Sequence, residues 1–190
     1  MKGRLSVFVL LALAALVVAG IGAAAVFRGT DGTDGNDTII GTQSADRIVG
    51  KGGDDTIDAE GGNDRVWAGG GNDRALGGGG DDMLRGGPGD DQLEGGAGND
   101  VLRGRPGNDT INGGDGNDVI WVGSGADVEN GGDGNDRMHA LAADGQVDTV
   151  DCGGGNDVAF ENKAEHDTFV NCEKVVYRTV TPKQAAEDDK

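Results

Sequence analysis

Residues 77–121 read GGGGDDMLR GGPGDDQLE GGAGNDVLR GRPGNDTIN GGDGNDVIW, five nonapeptides with Gly at place four, Asp at place six and an apolar residue at place eight. The phase extends in both directions. Aligned from Gly32 to His139, the chain holds twelve such units with Asp at place six of every one: Asp37, Asp46, Asp55, Asp64, Asp73, Asp82, Asp91, Asp100, Asp109, Asp118, Asp127 and Asp136. Gly holds place four in eleven units, Ser44 being the exception, and an apolar residue holds place eight in eleven, Glu129 being the exception. Disordered low-complexity sequence has no reason to keep Gly and Asp locked to one period, so the repeat predicts a solenoid.

Each unit divides into a Gly-rich turn of six residues, able to adopt positive φ, and three residues such as Thr38-Ile39-Ile40 that suit a short strand. Side chains alternate along a strand, so place eight faces inward while places seven and nine face outward. Stacking then buries one column: Ile39, Ile48, Ile57, Val66, Leu84, Leu93, Leu102, Ile111 and Ile120. One inward side chain per nine residues cannot offset the entropy of ordering nine backbones. Something besides apolar burial must hold the stack.

Composition points to that component. Among 190 residues are 39 Gly and only 7 aromatic side chains, and 34 acids face 16 bases for a net charge of −18. So acidic a chain disfavours nucleic acid and anionic membrane surfaces and favours small cations. Carboxylate and carbonyl oxygens suit Ca²⁺, which takes about six to eight of them, whereas zinc asks for the His and Cys that the repeats barely contain.

The units closely resemble the RTX, or haemolysin-type, calcium-binding nonapeptide G-G-x-G-x-D-x-U-x, a repeat the general rules for solenoids also associate with calcium. The resemblance runs from Gly32 to about Cys172. It implies an all-β, right-handed parallel β-roll (β-solenoid) of about seven coils, two nonapeptides to the coil, with calcium between turns stacked on the same side. Place-six carboxylates and turn carbonyls would be the ligands, pairing Asp37 with Asp55, Asp46 with Asp64, and so on to Asp118 with Asp136. Twelve units paired two apart make about ten sites, and Ser44, Ala45, Val122 and Ala126 depart from the pattern in units two and eleven. A metal-free solenoid whose Asp residues cap the turns is the competing reading.

Beyond Asp136 the lattice Asp recurs at Asp148, three residues late, which places an inserted loop within Ala140 to Gln146. The phase resumes at Asp157 and, degraded, around Asp167; Asp148 and Asp157 join the expected calcium ligands. Cys152 and Cys172 fall one coil apart at nearly the same place. Strands about 4.8 Å apart lie within disulfide range, so a Cys152–Cys172 bond is expected to staple the last coil. Residues 140–180 therefore form an irregular cap, and 181–190 a disordered tail.

At the other end, Lys2 and Arg4 precede an apolar run from Val7 to Ala19 and the small residues Ala23 to Ala25. This order predicts a signal peptide over residues 1–25, with an uncleaved anchor as the alternative, then a short linker over 26–31. The expected localisation is secreted or cell-surface, an oxidising compartment rich in calcium. Without Lys2 and Arg4 the remaining chain carries −20.

Odd and even units contribute to opposite faces of the coil. The odd face exposes mixed residues such as Thr38, Thr56, Arg74, Gln92 and Glu94. The even face exposes Arg47, Arg65, Trp67, Arg85, Arg103, Trp121, Arg137 and His139. Two readings stay open for it: a partner face for a glycan, an anionic polymer or a second copy of the chain, or a set of Arg and Trp side chains that cover aliphatic neighbours and balance the acidic turns.

Catalytic motifs are absent. His139 and His166 are the only histidines, and neither H-E-x-x-H nor G-x-S-x-G occurs. The sequence thus predicts a calcium-binding structural or interaction module rather than a hydrolase or toxin.

Overall fold

The computed structural model describes residues 25–28 and 31–180, and every regular element among them is a β-strand. The expected signal segment, apart from Ala25, and the expected tail at 181–190 lie outside the described residues. In chain order the strands are β1 (Ala25–Arg28), β2 (Asp37–Thr42), β3 (Arg47–Gly52), β4 (Thr56–Glu60), β5 (Arg65–Gly70), β6 (Arg74–Gly79), β7 (Met83–Arg85), β8 (Gln92–Ala97), β9 (Val101–Arg103), β10 (Thr110–Asp115), β11 (Val119–Trp121), β12 (Val128–Gly134), β13 (Arg137–Ala140), β14 (Thr149–Asp151), β15 (Gly154–Gly155), β16 (Val158–Asn162), β17 (Thr168–Val170) and β18 (Lys174–Arg178).

Strands of alternate units pair in parallel, which makes two sheets facing each other across a narrow core. One runs β1-β2-β4-β6-β8-β10-β12-β14-β17, with β15 also beside β12; the other runs β3-β5-β7-β9-β11-β13-β16-β18. Register is one coil per 18 residues, as in Ile39 opposite Ile57 and Leu84 opposite Leu102. The protein is therefore a parallel β-solenoid of eight coils, from β2/β3 to β17/β18. That is one more than the repeat count suggests. The last coil has lost the nine-residue phase, yet Phe169 and Val175 still dock on the core.

The place-eight column is buried as expected, and Ala75, Met138, Val150 and Ala159 extend it. It is not the sole column. Place one is also inward where it carries a side chain, and Ala59, Ala68, Val122, Ala140 and Cys152 form a second, small-residue row. A position expected to belong to the turn thus fills the corner of the core. Glu129 occupies place eight of its unit and is buried between Ile111 and Val150 of the neighbouring strands.

Both ends of the stack are covered. β1 lies along β2, pairing Val26 with Thr38 and Phe27 with Ile39, so residues 26–28 of the expected linker form a strand. At the other end Cys152 and Cys172 are bonded, their Cα atoms 5.1 Å apart. Among the described residues no helix is long and apolar enough to cross a membrane.

Candidate metal centres

Each place-six Asp stands where a turn enters a strand, and its two oxygens meet different fates. Oδ1 accepts a hydrogen bond from the backbone amide of the place-six Asp one coil earlier. One column links Asp37, Asp55, Asp73, Asp91, Asp109, Asp127, Asp148 and Asp167 this way, at 2.7–3.0 Å. The column on the opposite turn links Asp46, Asp64, Asp82, Asp100, Asp118, Asp136 and Asp157 at 2.7–2.8 Å and ends on the Glu173 carboxylate. The pairing two units apart is thus present throughout, and the inserted loop lengthens it to 21 residues at Asp127–Asp148 and Asp136–Asp157.

Oδ2 is buried without a hydrogen-bond partner in Asp55, Asp64, Asp73, Asp82, Asp91, Asp100, Asp109, Asp118, Asp136, Asp157 and Asp167. A buried acceptor left unmade is costly, so a periodic series of them requires an explanation. The surroundings supply further oxygens. A Cβ placed on Gly77 would lie 2.5 Å from Asp82 Oδ2 and 2.6 Å from the Gly95 carbonyl oxygen of the next coil. A Cβ on Gly87 would strike the Gly69 carbonyl oxygen, and one on Gly89 that of Gly71. Both glycines have positive φ, at 136° and 137°, so the turn both needs glycine and uses the vacated volume for backbone oxygen.

Electrostatics agree. Burial pushes the Asp109 carboxyl up to about 8, those of Asp91, Asp100 and Asp148 to about 7, and those of Asp55, Asp82 and Asp136 to about 6. Amides of the adjacent coil pull these values down, and neighbouring carboxylates push them further up. Such columns are hard to keep ionised unless a cation is present.

Hard oxygen donors in a Gly-rich turn fit calcium. Among the described residues no three His, Cys, Asp or Glu side chains converge on one point. A cation in these turns would draw on the carboxylates of two coils and complete its shell with carbonyl oxygens.

The first coil differs. Asp37 Oδ2 accepts hydrogen bonds from the Thr33 amide at 2.5 Å and the Thr33 hydroxyl at 2.9 Å, and Asp46 Oδ2 is held likewise by Thr42 at 2.7 and 2.9 Å. These two carboxylates, grouped with the other candidate ligands by sequence, have protein donors already. Lys51 also reaches back to the Gly32 carbonyl at 2.6 Å.

Place five carries a second ladder that the sequence reading did not single out. Asn36, Asp54, Asn72, Asp90 and Asn108 each accept, through Oδ1, the place-five amide one coil later, at 2.8–3.0 Å. Asn63, Asp81, Asn99, Asn117 and Asn135 accept likewise on the other turn, at 2.9–3.3 Å. The near-constant Asn or Asp before each lattice Asp was the available signal.

On the even-unit sheet several of the expected outward residues form two stacks. Arg47 lies over Trp67 at 4.8 Å, Arg85 approaches the same ring at 5.9 Å, and Arg103 lies over Trp121 at 4.5 Å. Trp121, His139 and Phe160 stack at 4.8 and 4.7 Å, and Arg137 and Arg178 flank Phe160. Arg65 is exposed between Arg47 and Met83.

Fold and turns together define a parallel β-solenoid with two columns of inward carboxylates. The sequence profile of the RTX calcium-binding nonapeptide repeat, in four copies, matches residues 31–66, 40–75, 67–102, 94–129, 103–138 and 113–147. These matches span more than half of the chain, which therefore belongs to the RTX calcium-binding nonapeptide repeat family, and its β-roll is a calcium-binding module. A comparison with curated proteins gave no match.

Proposed function

We propose that this chain is an exported module that stays unfolded where calcium is scarce, folds as calcium enters its turns, and then serves as an extracellular structural or interaction element. The observation that carries the reading is the periodic series of buried, unpartnered Oδ2 atoms at Asp55, Asp64, Asp73, Asp82, Asp91, Asp100, Asp109, Asp118, Asp136 and Asp157. In the metal-free chain these carboxylates repel one another; an ion in each gap removes both the repulsion and the unmade bonds, so binding energy becomes folding energy. Between units six and eight, for instance, Asp82 and Asp100 with carbonyls of 77–80 and 95–98 would hold one ion.

The proposed ligand set is the lattice series Asp55 to Asp157, with Asp37 and Asp46 at its margin because Thr33 and Thr42 already serve them. About ten ions would nearly neutralise the −20 chain. Export is supported by the charged-then-apolar opening of the sequence and by the Cys152–Cys172 bond, since disulfides persist in oxidising compartments. Nothing in this arrangement supplies a nucleophile with an adjacent base, and we assign the module no catalysis.

Far-UV circular dichroism of residues 26–190 during a calcium titration, with magnesium as control, tests the reading. Cooperative gain of β-structure at about 10⁻⁴ to 10⁻³ M calcium, the range of extracellular modules, is expected. Full β-structure in chelator would overturn it.

A further inference from the structure

The second carboxylate column closes on a residue outside the repeat. Residues 152–157 lead from β14 into β16, but only Asn171, Cys172 and Glu173 lead from β17 into β18. Lys174 pairs with Val158, so Glu173 stands immediately before its strand as Asp157 does one coil earlier. Glu173 therefore holds place six of a shortened turn. The matches to the repeat profile stop at residue 147, and neither a glutamate at place six nor so short a turn belongs to the repeat pattern.

The gap between Asp157 and Glu173 has the features of a cation site. Glu173 Oε2 accepts the Asp157 amide at 2.8 Å, the bond that a place-six Oδ1 makes in the coils before it. Asp157 is 1% exposed, and its Oδ2 is buried without a hydrogen-bond partner. In the regular coils that oxygen faces the following coil: Asp82 Oδ2 and the Gly95 carbonyl oxygen flank one point beside Gly77. By the same register the Asp157 oxygen is directed at the 171–173 turn. Burial raises the Asp157 carboxyl and the Glu173 carboxylate raises it further, while the Asp157 amide holds Glu173 below its ordinary value. Ionised carboxylates only accept hydrogen bonds, so neither can satisfy the other. Gly153 and Gly155 keep positive φ, at 88° and 155°, so the 152–157 turn retains the backbone of the turns before it.

We propose that Asp157 and Glu173 bind one further calcium ion beyond the repeats, with carbonyl oxygens of the 152–157 turn completing its shell. Glutamate carries its carboxylate one methylene further from the backbone than aspartate, which gives the shortened turn its reach. The Cys152–Cys172 bond joins the same two turns, their Cα atoms 5.1 Å apart, so disulfide and ion fasten the last coil together. Every donor is oxygen, which suits calcium rather than zinc. The inference rests on the repeat turns being calcium sites, and its test separates the two.

Native mass spectrometry of residues 26–190, with the disulfide intact, counts bound ions at pH 8 and the lowest calcium that completes the wild-type count. Glu173→Gln keeps an oxygen for the Asp157 amide and removes the charge; it is expected to carry one ion fewer in the same compact charge states. Glu94→Gln, which alters an exposed residue of the other sheet, should leave the count unchanged. If Glu173→Gln is not compact, Glu173→Asp is read instead, its shorter side chain also expected to lose one ion. An equal count in the compact variant, loss of several ions together, or failure of both variants to become compact overturns the proposal while the repeat sites stand. A folded wild-type chain without ions would overturn both.

Discussion

The Asp91 amide donates to Asp109 Oδ1 across one coil at 2.9 Å, while the other oxygen of Asp109 is buried without a partner. One oxygen of the carboxylate thus holds the backbone of the previous coil, and the other is the one proposed to take a cation. Asp109→Asn keeps the amide acceptor and removes the charge. It should cost about 2 kcal/mol or more of calcium-loaded stability, whereas Asp37→Asn, served by Thr33, should cost well under half of that. Chemical denaturation at fixed calcium measures both; equal losses would mean that the Thr33 cap does not distinguish the first coil.

Acidification should substitute in part for calcium. Carboxyl groups raised to about 7 in Asp91 and Asp100 and about 8 in Asp109 hold protons in the metal-free fold that the unfolded chain has released. A raised folded value means that this contribution to metal-free stability is complete below the unfolded carboxylate range and disappears as pH rises through 6 to 8. In chelator at pH 8 the chain should therefore be unfolded, and lowering the pH to about 5 should restore part of its β-structure without calcium. Circular dichroism in chelator that stays the same from pH 8 to pH 5 would contradict the raised carboxyls.

Glu129 breaks the apolar column. Both its oxygens are buried without hydrogen-bond partners, and burial, with the carboxylates of Asp148 and Asp127 nearby, pushes its carboxyl well above the ordinary range. Glu129→Leu should raise stability by about 1–3 kcal/mol, most at high pH where the glutamate is forced to ionise. A lower melting temperature for the variant would show that the carboxylate makes a contact worth keeping.

The repeat period revealed the two sheets, the 18-residue register and the two carboxylate columns, because Asp and Gly at fixed places report the backbone they require. The Cys152–Cys172 bond was legible for the same reason, each cysteine being placed by the lattice. What stayed hidden lies off the lattice or inside its variable places. β1 precedes the first unit, so no period announced its pairing with β2. Thr33 and Thr42 occupy a place that tolerates Lys51, Glu60 and Arg105 elsewhere, so their capping role depends on being first in the stack. Glu173 closes the second column from outside the phase, its longer side chain spanning what a displaced aspartate would not.

Removing the disulfide should act locally. A bond closing about 20 residues contributes about 3 kcal/mol. Cys152→Ala/Cys172→Ala should therefore speed hydrogen exchange in β14 and β16 to β18 while leaving β4 to β10 protected. Uniform loss across all coils would show that the staple nucleates the whole stack.

The most direct measurement is native mass spectrometry of residues 26–190 at pH 8 across a calcium series, counting ions on each folded chain. Calcium in the turns predicts about ten ions, acquired together with the compact charge-state distribution and lost together in chelator. A compact chain carrying one ion or none would contradict it and leave the buried carboxylate oxygens to be satisfied by some other group.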